Sequence, residues 1–444
     1  MTVEKIDTLV IGAGQAGIAT SEHLTLQGIP HIVLERDRIA ESWRTGRWDS
    51  LVANGPAWHD RFPGLEFKDV NPDSFMSKGQ ITKYFEEYVK KISAPIRTGV
   101  EVKSVVRNVG DFGFKAETSQ GDFVADRVVI ATGAFQNPVI PPIVPKEANV
   151  TQLHSANYYN PEQLPDGGVL VIGAGSSGVQ IADELQRSGK KVYLSVGAHE
   201  RPPRRYRNRD FCWWLGVLGE WDAAALTPGT EHVAIAVSGA HGGQTVDFRV
   251  LANQGINLVG MSKSYYDGTI YFRDDLGSNI VNGDSNYFAF LDAADEYIDK
   301  HGLDLPEEPE ARQLIPVPKC ITEPISEINL TEEGVTSIIW ATGYSVNYSW
   351  LKIDAFDEQG KPKHHRGVCT EQGIYFVGLP WLSRRGSAFI WGAWHDAKYI
   401  ADHIATQSNY LNYHRAKEQM EFDLNEAQGS DPVDNDPLVQ YDPR

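Results

Sequence analysis

The six-residue sequence LVIGAG occurs twice in this chain, at positions 9–14 and 170–175. The first copy continues as GAGQAG over 12–17 and the second as GAGSSG over 173–178, and each is followed by a helical pattern and a second apolar strand. A GxGxxG turn between a strand and a helix binds a pyrophosphate, because its glycines allow a tight turn and close approach of the phosphates to the positive end of the helix. The repeat therefore predicts an α/β fold with two Rossmann-like dinucleotide-binding domains, although two ordinary glycine turns are the alternative.

The strands that follow the two turns end differently, and this difference predicts which nucleotide each turn binds. The first strand ends at Glu35, whose carboxylate can accept hydrogen bonds from both hydroxyls of an adenosine ribose, as in FAD or NAD. The second strand ends at Ser195 and is followed by no acid before Ala198 but by several arginines, among them Arg204 and Arg205. Arginines without an acid suit the 2′-phosphate of NADPH. A solvated basic loop and a nucleic-acid patch are the alternatives.

Two segments of similar form predict where the chain crosses between domains. Residues 128–133 read VVIATG and residues 338–343 read IIWATG, and the first precedes a proline-rich stretch. Small residues at a strand end allow close backbone approach. We therefore expect an NADPH domain inserted into a discontinuous FAD domain. The predicted divisions are 1–145 (FAD domain, first part), 146–318 (NADPH domain with inserted segments), 319–418 (FAD domain, second part) and 419–444 (acidic, mobile tail).

The composition argues against several functional classes. A net charge of −18 disfavours a nucleic-acid binder, whose phosphate contacts need a basic surface. No uncharged apolar run reaches the roughly 18 residues of a membrane span, and no secretion signal precedes the first strand, so we expect a cytoplasmic location. Cys212, Cys320 and Cys369 are far apart and form no CxxC. We therefore expect neither a dithiol redox centre nor a metal site.

Further motifs resemble those of the flavin-containing monooxygenases, which are class B flavoprotein monooxygenases, in the bacterial branch that includes YUCCA-type enzymes. The resemblance is carried by the two GxGxxG turns, by HSANY at 154–158 and by WATGY at 340–344. The segments ESWRTGRWDSLVANGP at 41–56 and GIYFVGLPWLSRRGSAF at 373–389 support it, and it spans about residues 5–405. The resemblance implies that the chain binds FAD and NADPH.

The resemblance also implies roles for individual residues. Asn54 would lie beside the reactive edge of the flavin and is the predicted catalytic residue, with a turn asparagine as the alternative. The other residues predicted to bind the cofactors in the FAD domain and at the domain crossings are Gly12, Gly14, Gln15, Ala16, Gly17, Glu35, Arg36, Trp43, Arg44, Val102, Ala131, Thr132, Gly133, Gly343 and Gly378. The residues predicted to bind NADPH are Gly173, Gly175, Ser176, Ser177, Gly178, Arg204 and Arg205. His154, His395 and Asp396 are acid–base candidates, with packed or capping side chains as the alternative.

The activity implied by the resemblance is insertion of one oxygen atom into a small organic substrate. NADPH would reduce FAD, and the reduced flavin would form a C4a-(hydro)peroxyflavin with O2. N- or S-oxidation, oxidative decarboxylation of a 2-oxo acid and Baeyer–Villiger chemistry stay open. The alternatives are a flavin reductase or electron-transfer flavoprotein without oxygenation, and a nucleotide-sensing module. We expect a small-molecule substrate and O2 as partners, no nucleic acid and no membrane, with a homodimer as the default oligomer.

Overall fold

A computed structural model of the chain describes residues 3–108, 113–224 and 234–429. The strands of its first part are β1 (Val3–Ile11), β2 (His31–Glu35), β3 (Val52–Pro56), β4 (Phe75–Ser77), β5 (Ile96–Thr98), β6 (Val102–Arg107), β7 (Phe114–Thr118) and β8 (Gly121–Ile130). The strands of the middle part are β9 (Asn137–Pro138), β10 (Thr151–His154), β11 (Gly168–Ile172), β12 (Val192–Ser195), β13 (His199–Glu200), β14 (Arg205–Tyr206), β15 (Arg209–Asp210), β16 (Ala234–Ile235), β17 (Asn257–Val259), β18 (Ser262–Tyr266) and β19 (Thr269–Phe272). The strands of the last part are β20 (Glu327–Asn329), β21 (Val335–Trp340), β22 (Tyr344–Ser345), β23 (His364–His365), β24 (Val368–Cys369) and β25 (Ile374–Phe376). The α-helices are α1 (Gln15–Leu26), α2 (Glu41–Arg44), α3 (Lys78–Ile92), α4 (Ser176–Arg187), α5 (Phe211–Val217), α6 (Phe248–Asn253), α7 (Leu276–His301), α8 (Lys319–Thr322) and α9 (Ile390–Gly429).

The larger sheet is built from both ends of the chain. Its order is β23-β24-β25-β8-β1-β2-β5, and the β6–β7 hairpin extends from β8. The central strands β25, β8, β1, β2 and β5 run parallel. The second half of β1 is buried throughout, as expected for a parallel strand covered on both faces. Helices α1 and α9 pack in one apolar cluster on this sheet, in which Ile18 and Ile400 are fully buried.

The smaller sheet is built only from the middle of the chain. It has the order β10-β21-β11-β12-β17, and all of its neighbouring strands run parallel. Each parallel sheet thus has its own glycine turn and helix, β1–α1 in the first and β11–α4 in the second. The sequence prediction of two Rossmann-like dinucleotide-binding units in an α/β fold is confirmed.

One predicted domain boundary is wrong. The second part of the FAD domain was expected to begin at residue 319, but β21 lies between β10 and β11 of the smaller sheet. Its register aligns Ile339 with Leu153 on one side and with Val171 on the other. Because β21 is paired on both sides, the chain leaves the smaller sheet only after Trp340, the last residue of β21.

The two chain crossings between the sheets lie side by side. β9 follows the first Ala-Thr-Gly segment, β22 follows the second, and the two short strands pair antiparallel. Their register aligns Pro138 with Tyr344. The main-chain N–H of Val139 also donates a hydrogen bond of 3.1 Å to the carbonyl oxygen of Gly343. The connection between the two halves is thus a two-stranded ribbon.

The predicted tail overlaps the last helix. Helix α9 continues to Gly429, so the first residues of the segment predicted to be a mobile tail from 419 are helical. Residues 430–444 lie outside the described residues.

Candidate active site

The first glycine turn has the geometry that a dinucleotide requires. Gly12 adopts φ +105°, a conformation that favours glycine, and a Cβ on it would lie 2.6 Å from the carbonyl oxygen of Ala131. A Cβ on Gly17 would lie 1.8 Å from the carbonyl oxygen of Gly12, so helix α1 can approach the turn this closely only with glycine there. Gly14 is different, because a Cβ on it would meet no atom within 4 Å. The turn is therefore open at the position where a pyrophosphate must approach the backbone.

A carboxylate completes the first turn. Glu35 Oε2 accepts a hydrogen bond of 2.8 Å from the main-chain N–H of Ala13, and its Oε1 accepts one of 2.9 Å from Asp37. This places the side chain of Glu35 beside the turn, where it can meet the adenosine ribose. The main-chain N–H of Val100 donates to the carbonyl oxygen of Glu35, so the segment leading to Val102 passes the same strand end. Arg36 points away and pairs with Asp37 on the surface.

The second glycine turn repeats this geometry. Gly173 adopts φ +111°, and a Cβ on it would lie 2.4 Å from the carbonyl oxygen of Ala341. A Cβ on Gly178 would lie 1.8 Å from the carbonyl oxygen of Gly173. A Cβ on Gly175 would meet only Ala234 Cβ, at an ordinary contact of 3.6 Å. The second turn is therefore also open at its middle glycine, and the glycines of both turns fit a bound dinucleotide.

The residues after the second turn begin helix α4. Ser176 Oγ donates a hydrogen bond of 2.8 Å to the carbonyl oxygen of Ile235, so this hydroxyl ties the turn to β16. The N-cap residue of the helix is Gly175, so no side chain caps the N-terminus of the helix. The main-chain N–H groups of Ser176 and Ser177, the first residues of the helix, have no acceptor within it and are the groups that an anion binds at a helix N-terminus.

The two arginines predicted to bind the 2′-phosphate lie in different environments. Arg205 is exposed, as the prediction requires. The Arg204 side chain is 1% exposed and pairs with Asp210, with Nη2–Oδ1 at 2.5 Å and Nε–Oδ2 at 3.1 Å. Its Nη1 donates a further hydrogen bond of 2.6 Å to the carbonyl oxygen of Asn54. Arg204 is thus fully engaged inside the protein, which does not fit the predicted contact with a phosphate.

Asn54 lies between the two nucleotide-binding units. It belongs to β3, whose Ala53 packs in the same apolar cluster as Ala13 and Ala16 of the first turn. Its Oδ1 accepts a hydrogen bond of 2.9 Å from Nε2 of Gln180, which lies on α4 of the second unit. The structure thus brings the predicted catalytic asparagine into contact with both halves.

The segment that follows β3 forms a buried polar cluster with α5. Asp60 Oδ2 accepts a hydrogen bond of 3.0 Å from the main-chain N–H of Gly55, and Asp60 Oδ1 lies 2.9 Å from His59 Nδ1. Burial lowers the pKa of a histidine, but the electrostatic interaction with the Cys212 sulfur and the hydrogen bond and charge of the Asp60 carboxylate outweigh this effect and raise the pKa of His59 to about 10.

Tryptophans surround this cluster. The ring of His59 stacks on Trp221 with centroids 5.0 Å apart, and Trp391 is at 6.0 Å. Trp391 belongs to the first turn of α9, so the C-terminal part of the chain closes over the segment after β3. The wall formed by these rings is apolar and suits a site from which water is excluded.

The C-terminal segment also contacts the first glycine turn. Gln15 Nε2 donates to the carbonyl oxygen of Ala388 at 2.8 Å, and Trp43 Nε1 donates to Gln15 Oε1 at 3.1 Å. A Cβ on Gly378 would lie 2.6 Å from Ala16 Cβ. These predicted FAD-binding residues are therefore neighbours. Arg44 points elsewhere, to Glu86 at 2.6 Å.

The remaining predicted residues lie at the chain crossings. The main-chain N–H of Ala131 donates to Ile11, which holds this residue beside the first turn. Gln136 Nε2 donates to Thr132 Oγ1 at 3.0 Å and to the carbonyl oxygen of Gly133 at 2.8 Å.

The acid–base candidates have structural contacts. His154 Nδ1 caps the main-chain N–H of Ala156, its Nε2 lies 2.9 Å from the carbonyl oxygen of Gly343, and burial lowers its pKa. Burial also lowers the pKa of His395. Asp396 is buried and accepts a hydrogen bond of 2.5 Å from Ser383 Oγ. These contacts favour the interpretation of packed and capping side chains.

Sequence reasoning missed three side chains of this site, Gln180, His59 and Asp60. Gln180 could have been suspected, because it lies one helical turn after Ser176 and therefore near the second turn. The sequence offered no comparable signal for His59 and Asp60, whose roles depend on the distant Cys212 and on Gly55.

Comparisons with known proteins agree with this architecture. The family model described as pyridine nucleotide-disulphide oxidoreductase matches residues 9–211. An uncharacterized CzcO-like oxidoreductase of Geobacillus kaustophilus is 35% identical over 404 residues, covering 90% of this chain and 98% of that protein. A probable indole-3-pyruvate monooxygenase, YUCCA1 of Arabidopsis thaliana, is 26% identical over 408 residues, covering 90% and 89%. The structure of a flavin-containing monooxygenase from Stenotrophomonas maltophilia has a TM-score of 0.64 at 17% identity, covering 91% of this chain and 99% of that one.

The fold, the two glycine turns and these relatives define an oxidoreductase with two dinucleotide-binding domains. The chain belongs to the family of the CzcO-like oxidoreductases.

Two kinds of feature are absent from the residues that the structure describes. None of the helices there is both long and apolar enough to cross a membrane. No group of three or more histidine, cysteine, aspartate or glutamate side chains within the same ranges could hold a metal ion.

Proposed function

We propose that this chain is an NADPH-reduced, FAD-dependent monooxygenase that inserts one oxygen atom into a small organic substrate. When bound, FAD supplies hydride acceptance from NADPH and the activation of O2. The observation that carries the proposal is the position of Asn54. Its strand packs against the first glycine turn, and its side chain is held by the helix that begins at the second.

The chain's own residues supply binding, orientation and exclusion of water. The first glycine turn and Glu35 would hold the pyrophosphate and the adenosine ribose of FAD. The second turn and the first N–H groups of α4 would hold the pyrophosphate of NADPH, with the exposed Arg205 free to meet its 2′-phosphate. Asn54 would present its side-chain amide to the reacting centre, and the rings of Trp221 and Trp391 would keep water out.

Two substrate classes suit this arrangement. One is a soft nucleophile, a thioether or an amine, which takes one oxygen atom from O2 while the other leaves as water. The other is a 2-oxo acid, which reacts with O2, NADPH and a proton to give the shortened acid, carbon dioxide, water and NADP+. The name of the Arabidopsis relative, an indole-3-pyruvate monooxygenase, supports including the second class.

Turnover under ¹⁸O2 tests the proposal. NADPH oxidation would be followed with a panel of thioethers, amines and aromatic 2-oxo acids, with hydrogen peroxide measured in parallel. We expect one panel class to give a product that carries one ¹⁸O atom, with less peroxide released per NADPH. Stoichiometric peroxide with every class would instead identify a flavin reductase. A disulfide reductase is disfavoured, because the three cysteines are free thiols that form no pair.

The proposal also includes a cytoplasmic location and a homodimer as the default assembly. Cell fractionation and sedimentation of the purified protein test these two points separately.

A further inference from the structure

The side chain of Gln180 makes a contact that the sequence analysis did not predict. Gln180 is 8% exposed and lies on helix α4, one turn after Ser176. Its Nε2 donates to Asn54 Oδ1 at 2.9 Å and also lies 3.3 Å from the carbonyl oxygen of Val237. We propose that Gln180 is a positioning residue that fixes the orientation of the Asn54 side-chain amide. The inference rests on the proposed function in one respect, since Asn54 is taken to face the reacting centre.

The carbonyl of Val237 determines the direction of this hydrogen bond. A main-chain carbonyl oxygen can only accept, so the Gln180 atom that lies beside it must be the amino group, Nε2. The same amino group lies beside Asn54, and Asn54 must therefore present its oxygen, Oδ1. This reasoning assigns the otherwise ambiguous ends of both amides from the hydrogen-bond network.

The consequence for Asn54 is that its amino group stays available. Within the part of the chain that the structure describes, Asn54 Nδ2 makes no hydrogen bond. A free N–H donor can stabilise negative charge that develops on an oxygen atom, whereas a carbonyl oxygen in the same place would repel that charge. By binding the oxygen of the Asn54 amide, Gln180 leaves its amino group as a hydrogen-bond donor of fixed direction.

The backbone of Asn54 is held as firmly as its side chain. Arg204 Nη1 donates to its carbonyl oxygen at 2.6 Å, and Asp60 Oδ2 accepts from the next main-chain N–H, that of Gly55, at 3.0 Å. Arg204 lies on the loop that leads into β14, and Asp60 follows β3, so the two supports come from different parts of the chain. Because the main chain at Asn54 and Gly55 is held at two points, the contact with Gln180 fixes only the rotation of the Asn54 side-chain amide.

Helix α4 also links this amide to the second nucleotide site. The helix begins at the turn that would hold the NADPH pyrophosphate, and Gln180 lies one turn further along it. A nucleotide that orders the start of α4 would therefore also order the group that orients Asn54. This coupling needs no movement of either domain.

Exchanging donors and acceptors tests the direction of the hydrogen bond. Asn54→Asp keeps an oxygen opposite Gln180 Nε2, so its midpoint of thermal unfolding should stay within about 1 °C of the parent protein. Asn54→Leu has the same shape and no acceptor, and should lower the midpoint by about 2–4 °C. Gln180→Glu places carboxylate oxygens against the Asn54 and Val237 oxygens and should lower it at least as much.

A matched control separates this effect from a charge placed on the helix. Gln186 lies on the same helix and donates to the carbonyl oxygen of Gln254, away from Asn54. Gln186→Glu adds the same charge to the helix, but the hydrogen bond that it disrupts is exposed to solvent. This variant should therefore lose less stability than Gln180→Glu, whose site is buried. Unfolding would be measured on the FAD-loaded protein, with FAD content checked for every variant.

The reverse pattern overturns the inference. If Asn54→Asp is as destabilising as Asn54→Leu, then Asn54 Nδ2 and not Oδ1 faces Gln180. That comparison decides the question even if Gln180→Glu does not fold. None of these measurements depends on oxygenation, so they hold their meaning if the enzyme proves to be a reductase.

A second measurement connects the orientation to catalysis. Gln180→Met removes the donor without adding charge, and we expect it to release more hydrogen peroxide per NADPH than the parent protein. We expect the same of Asn54→Ala, which removes the side-chain amide itself. If Gln180 acts through Asn54, the double variant should release no more peroxide than Asn54→Ala alone. Additive effects of the two substitutions would show that Gln180 does not act by positioning Asn54.

Discussion

The two glycine turns predict opposite outcomes for substitutions only a few residues apart. Gly14 (φ −81°, ψ −172°) and Gly175 (φ −74°, ψ −178°) adopt extended conformations that alanine takes without strain. An added methyl meets no atom within 4 Å at Gly14 and only Ala234 Cβ, at 3.6 Å, at Gly175. Both alanine variants should therefore fold. Their free energy of unfolding without ligand should be unchanged or higher by about 0.4–1 kcal/mol, because alanine lowers the entropy of the unfolded chain.

Ligand binding should suffer in the same variants. The added methyl occupies the space through which a pyrophosphate approaches the main-chain N–H groups. Losing one or two hydrogen bonds to charged oxygens costs about 1.5–3 kcal/mol each. A loss of about 3 kcal/mol corresponds to roughly 100-fold in Kd.

The assay compares FAD content, NADPH affinity and thermal unfolding. Gly14→Ala should purify without FAD, whereas Gly175→Ala should keep FAD and bind NADPH roughly 100-fold more weakly. Gly17→Ala and Gly178→Ala are the matched controls, since their added methyls would lie 1.8 Å from a carbonyl oxygen and should damage folding itself. Wild-type NADPH affinity in Gly175→Ala, or full FAD content in Gly14→Ala, would refute this assignment of the turns.

Three further predictions follow from buried and exposed charges. Asp284→Asn should lower the free energy of unfolding by about 3–5 kcal/mol in denaturant titrations, because it removes the carboxylate that pairs with the buried Arg201 and Arg249 at 2.6–2.9 Å and leaves Arg201 only its longer pair with Asp247 at 3.4 Å. A loss below about 1 kcal/mol would contradict this. Cys212→Ala should lower the pKa of His59 from about 10, as measured by NMR titration of its ring. Because the folded pKa of His59 exceeds its unfolded value of 6.5, the stability that His59 contributes is complete below about pH 6.5 and is lost as pH rises towards 10. Cys212→Ala should make that loss smaller. An unchanged dependence of stability on pH would argue against the contact between His59 and Cys212. Arg205→Ala should raise the KM for NADPH roughly tenfold and leave the KM for NADH unchanged, whereas equal effects on both would remove Arg205 from the 2′-phosphate site.

The sequence predicted what depends on neighbouring residues. A strand, a turn with three glycines and a helix form a local unit, and the positive φ of Gly12 and Gly173 is required wherever this unit occurs. The carboxylate of Glu35 follows the same unit at the end of β2. For this reason the two dinucleotide-binding units and their order along the chain could be predicted without a structure.

The features that the sequence did not predict depend on distant contacts. The arginines after β12 look equivalent in the sequence, but the β14–β15 hairpin brings Asp210 back to Arg204, and β3 offers it the carbonyl of Asn54. Arg205, one residue later, stays exposed. The boundary predicted at 319 failed in a similar way, since only the pairing of β21 with β10 and β11 shows that this strand belongs to the smaller sheet.

Rapid mixing of the NADPH-reduced enzyme with oxygenated buffer tests the central claim most directly. The purified protein would first be reduced anaerobically by NADPH, and the flavin spectrum would then be followed after mixing. We predict a long-lived species that absorbs in the near ultraviolet before the oxidised spectrum returns, with a shorter lifetime in Asn54→Ala. A direct return to oxidised flavin with stoichiometric hydrogen peroxide, both without substrate and with each class of the substrate panel, would contradict the proposed monooxygenase function.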